Sequence, residues 1–114
     1  MGDPVRLCHA LVIGVDRYEE GSADLSGCVA GARALAQVLA DADYQVALLV
    51  SNAPAAHQRP TLDNVRLRLG LLQDLPTPPA RVLFYFAGHG AQRDGAPHLL
   101  AEDAQRAGWL PLRE

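Results

Sequence analysis

Three stretches of the chain are nearly free of charged side chains, and each runs into a polar loop. They are LCHALVIGV at 7–15, YQVALLV at 44–50 and RVLFYFA at 81–87. Continuous apolar runs of this length suit strands covered on both faces, as in a parallel sheet. The segments between them read differently. In GCVAGARALAQVLAD, at 27–41, Cys28, Ala32, Leu35 and Leu39 recur at helical spacing. Ser26 stands where a hydroxyl caps the first turn. Gly31 inside this helix costs about 1 kcal/mol against alanine, so a close neighbour is expected there. A second helix is predicted over 61–74, capped by Thr61, with Leu62, Val65, Leu69 and Leu72 as its apolar stripe. PTPP at 76–79 ends it. PHLLAED at 97–103 predicts a short fourth strand, and GWLPLRE leads toward a further helix. The order β-α-β-α-β-β implies an α/β domain, a mostly parallel sheet with helices on both faces.

Composition narrows the class. At 114 residues, 49% hydrophobic and 20% charged, the chain has the make-up of one small globular domain. A net charge of −3 does not suggest a nucleic-acid partner. All ten basic residues are arginine. No apolar run approaches the roughly 20 residues of a membrane helix, and the amino-terminal segment lacks the basic region and cleavage site of a signal peptide. A cytosolic protein with no membrane partner is expected. Cys8 and Cys28 have neither metal-ligand spacing nor a disulfide framework, so both are read as free thiols.

The candidate chemistry lies just past the third apolar run, where His89 stands between Gly88 and Gly90. Ligands of open parallel sheets bind beyond the carboxyl ends of the strands. Glycines there permit positive φ and a close approach to the backbone, and an imidazole at that rim can transfer protons near neutral pH. The plain alternative is a loop histidine in a glycine-rich turn. Alternation along β-structure puts Phe84 and Phe86 on one face and Leu83, Tyr85 and Ala87 on the other.

Taken together, ALVIGVDRY, LSGCVAGARALAQVLAD, YQVALLV, PTLDNV and FYFAGHGAQ, in this order along nearly the whole chain, resemble the caspase-like cysteine peptidases, closest to the metacaspase and bacterial branch. The resemblance implies a three-layer caspase-like sandwich, here a partial domain, and a Cys–His dyad that cleaves peptide bonds. His89 matches the family's catalytic histidine, which assists thiolate formation and protonates the leaving amine. Gly90 matches the residue whose backbone N–H contributes to the oxyanion hole. The resemblance implies that Cys28 lines the substrate pocket, and Asp16 and Ala87, on the same rim as His89, are further candidates for its wall. The nucleophilic cysteine belongs roughly 50 residues after the histidine, whereas the sequence ends 25 residues after His89 and has no cysteine beyond Cys28. The expectation is therefore an amino-terminal portion of the domain, inactive alone, whose partners are a peptide substrate and the remaining part of the peptidase. The other reading is a non-catalytic module that docks or regulates a partner protein.

The specificity residues depart from both branches. Leu25 stands where animal caspases carry the arginine that grips aspartate, and Gly31 where metacaspases carry an aspartate for basic side chains. Neither preference carries over. Asp16 could orient a substrate or His89, but a loop-turn role is favoured. His9, His57 and His98 are read as structural or solvated. Some metacaspases need calcium, but Glu102 and Asp103 fall short of the 6–8 oxygens calcium takes, so no cofactor is expected. A serine-hydrolase reading lacks the Gly-x-Ser-x-Gly elbow, and nucleotide binding lacks a glycine-rich phosphate loop.

Overall fold

A computed structural model describes residues 6–19 and 24–112. Residues 20–23 of the predicted polar loop and the last two of GWLPLRE lie outside the described residues. The three apolar runs form one parallel sheet. Strand β1 (Cys8–Gly14) is central, between β2 (Gln45–Val50) and β3 (Arg81–Ala87). Helix α1 (Cys28–Asp41) covers one face and α2 (Leu62–Gln73) the other, which makes three layers.

The alternation of β1 divides the core. Ala10 and Val12 face Val29, Ala32 and Leu39 of α1, while Leu11, Ile13 and Val15 face Val65 of α2 and Leu49. Leu11, Val12, Ile13 and Val15 have no exposed surface. Burial of each such side chain stabilises the fold by roughly 1.5–3 kcal/mol, so β1 anchors both layers. The β3 alternation is as predicted: Leu83 and Tyr85 pack on the α1 side, Phe86 on the α2 side.

The helix start is a correction. Gly27, not Ser26, is the N-cap of α1, with φ 89° and no side-chain cap bond of its own. The orphan amides of Cys28 and Val29 instead donate to Asp16, at 2.8 and 3.2 Å. Thr61 caps α2 as expected, accepting from the Asn64 amide.

The second half of the chain also departs from expectation. The fourth strand does not join the parallel sheet. Strands β4 (Gly90–Arg93), β5 (Ala96–Leu99) and β6 (Leu110–Pro111) form a separate antiparallel sheet, and the single turn α3 (Ala104–Ala107) precedes β6. The β4–β5 turn is Asp94–Gly95, both with positive φ (53° and 78°), the geometry of a two-residue type I′ hairpin. Arg93 lies 4.0 Å over the Trp109 ring, and His98 meets the edge of that ring.

Candidate active site

The carboxyl ends of the three parallel strands converge on one rim. Val15 N–H donates to the Ala87 carbonyl, and Ser51 N–H to that of Gly14. Ser51, nearly buried, accepts the amides of Asp16 and Arg17 on its hydroxyl. The loop after β1 is thus fixed to the end of β2, and the path after β3 is fixed to β1.

His89 follows β3 by two residues, on this rim, half-buried. Its backbone N–H donates to the Tyr18 hydroxyl at 2.7 Å, and that hydroxyl donates to the Leu100 carbonyl at 3.1 Å. The His89 carbonyl accepts from Leu100 N–H. The Tyr18 and His89 rings lie 5.0 Å apart, tilted by 50°. Burial raises the Tyr18 phenol above its ordinary value, which keeps the proton it donates to Leu100. The glycine before the histidine is explained by contact, not by φ. A Cβ at Gly88 would stand 2.8 Å from the Tyr18 hydroxyl and 3.0 Å from the Phe86 ring, whereas neither Gly88 nor Gly90 has positive φ.

Asp16 shares the rim but is spent on α1, its two carboxylate oxygens accepting the Cys28 and Val29 amides. Cys28 opens α1 beside it. A helix start favours a thiolate, yet desolvation and the neighbouring Asp16 carboxylate raise the Cys28 thiol above its usual value. Cys8 pairs with Arg81 at the opposite end of β1, roughly 20 Å from Ala87 at about 3.3 Å per residue. Cys28 is thus not an activated nucleophile, and Cys8 lies away from the rim. The rim therefore gathers Asp16, Tyr18, Cys28, Ala87 and His89.

Tyr18 is the residue that sequence reading passed over. Its signal was present: an aromatic two residues beyond Asp16, close to the end of the central strand. His9 sits at the other end of the sheet, His57 is exposed, and His98 bonds the Ala96 carbonyl through Nδ1. The close packing expected at Gly31 is absent, since a Cβ there would stand 3.7 Å from the Tyr85 hydroxyl. The tight approach is at Gly14, where a Cβ would meet the Cys28 carbonyl at 2.6 Å and Ala32 at 2.8 Å.

The acids after β5 do not form a calcium cradle. Asp103, 5% exposed, accepts the Leu62 amide and so helps Thr61 cap α2, and Arg106 approaches its other oxygen. Glu102 buries one carboxylate oxygen without a hydrogen-bond partner. Among the described residues no three His, Cys, Asp or Glu side chains group as a metal site, and no helix is long and apolar enough to cross a membrane.

Comparison with individual characterised proteins gives no match. Comparison with protein families does: the model of the caspase domain matches residues 7–108, from the start of β1 to the end of α3. A match over nearly the whole chain, on a fold that carries His89 at the carboxyl rim of a parallel sheet, makes this chain a member of the caspase-domain family of peptidases.

Proposed function

We propose that this chain carries the histidine side of a cysteine endopeptidase site. In this reading His89 takes the proton of a nucleophilic thiol and returns it to the leaving amine, and the Gly90 amide stabilises the oxyanion. The observation that carries it is the placement of His89. The histidine of a caspase-domain chain stands at the rim where open parallel sheets act, its backbone held by Tyr18. The hairpin geometry supports the role of Gly90. Leu100 N–H donates to the His89 carbonyl, and Gly90 is the next residue, opposite Leu99. Antiparallel pairs alternate in which edge their amides face, so the Gly90 N–H is turned away from β5.

The thiol is assigned to chain beyond these residues, on a strand that pairs with β3. The free edge of β3 supports this assignment. Among the described residues β3 has a partner only on its β1 side, and Val82 and Phe84 are 46% and 38% exposed. Apolar side chains along an unpaired edge invite a further strand.

The test is peptide cleavage by the full-length natural product against a mixed peptide library. His89→Ala should lower turnover on the order of 10³-fold, and a thiol alkylator should abolish it. Cleavage indifferent to the substitution, or none under any condition including added calcium, would overturn the peptidase reading.

A further inference from the structure

At the opposite end of the sheet from His89, α2 leaves part of its own face uncovered. The row His9, Leu11 and Ile13 on β1, with Val15 just past its end, points toward α2, and Gln45, Ala47 and Leu49 continue it on β2. Over Leu11 and Ile13 this face is sealed. Over His9 and Gln45 it opens into a cavity of about 230 Å³, walled by Leu71, Leu72 and Leu75 and bordered by Arg68. Leu71 is 52% exposed at this place.

The polar groups of the cavity are unlike the rest of the molecule. The chain carries a net charge of −3, yet the lining contains His9, Gln45 and Arg68 and no Asp or Glu. Arg68 is half-buried. Among the described residues the ion pairs are those of Arg106 with Glu19 and Asp103, and no carboxylate pairs with Arg68. Arg68 also borders the adjoining cavity of about 390 Å³ along β2, where Arg33 is the other charged residue. A half-buried guanidinium with no carboxylate beside it keeps its donors open to an added anion. A guanidinium with five donors, an imidazole and an amide over leucine walls complement a planar carboxylate on an apolar body.

We propose that this cavity binds a small aliphatic carboxylate, with its oxygens on Arg68 and His9 and its chain along Leu71, Leu72 and Leu75. The volume lies below the several hundred Å³ typical of drug-sized ligands, which suits a short-chain acid. The site lies at the amino-terminal ends of β1 and β2, away from the His89 rim, and does not depend on the peptidase reading.

The experiment is a two-dimensional ¹H–¹⁵N NMR titration of the chain with hexanoate. Saturable shifts are expected at the amides of His9, Ala47 and Leu72. Hexanol should bind at least about tenfold more weakly, as should hexanoate to Arg68→Gln, because a charge-assisted bidentate contact is lost. The hexanol comparison needs no variant and stands even if Arg68→Gln unfolds. Absence of saturation, equal binding of hexanol, or equal binding by a folded Arg68→Gln would each overturn the proposal.

Discussion

Glu102 is the residue most at odds with its surroundings. One of its carboxylate oxygens is buried with no hydrogen-bond partner, and desolvation raises its pKa above the ordinary carboxyl value, against the opposing pull of Arg59. An acid whose pKa is higher folded than unfolded favours folding while protonated, and that contribution fades as pH rises through the folded value. Glu102→Gln should therefore gain stability relative to wild type as pH rises from 4 to 7. The two should converge below the ordinary carboxyl range. Urea midpoints measured across that interval test this, and a difference independent of pH would count against it. Cys28 follows the same physics, its thiol held up by burial and by Asp16, so position at a helix start does not by itself make a reactive cysteine.

At the scale of elements, the caps decide where helices begin. Asp16 lies outside α1 in sequence, 12 residues before Cys28, yet it replaces the local cap that Ser26 was expected to provide. Asp16→Ala should cost about 1–2 kcal/mol, measured by chemical denaturation. Ser26→Ala should cost nearly nothing, and a reversed order would refute the assignment. This also marks the limit of reading the sequence. β1, α1, β2, α2 and β3 were legible because their signals are local: apolar runs, helical stripes, Thr61 and the prolines at 76–79. The cap on α1 was not, because it comes across a loop. The β4–β5 hairpin was signalled by Asp94–Gly95, but β4 is only four residues long and has no apolar run, so β5 alone was predicted and its partner was not. His89 and its rim were legible from strand order, whereas the bond from its amide to Tyr18 links residues 71 apart and follows from no local pattern.

For the whole molecule, the edge of β3 that has no partner among the described residues bears on association. Val82 and Phe84 are exposed along it, and Phe84 continues into an apolar hollow with Leu69, Leu110 and Leu112. The isolated chain should self-associate at high concentration through this edge. Val82→Lys should suppress that, since an edge lysine opposes pairing. Sedimentation velocity over a concentration series distinguishes the two, and identical profiles would exclude the edge as the contact. The central position of β1 also has a consequence for synthesis on the ribosome. Its first residue, Cys8, pairs with Arg81, 73 positions later. At roughly 5–20 residues per second the β3 partner emerges about 4–15 s after β1 does. For those seconds the most apolar segment of the protein is a nascent strand with one neighbour at most, and that interval is when a chaperone has something to hold.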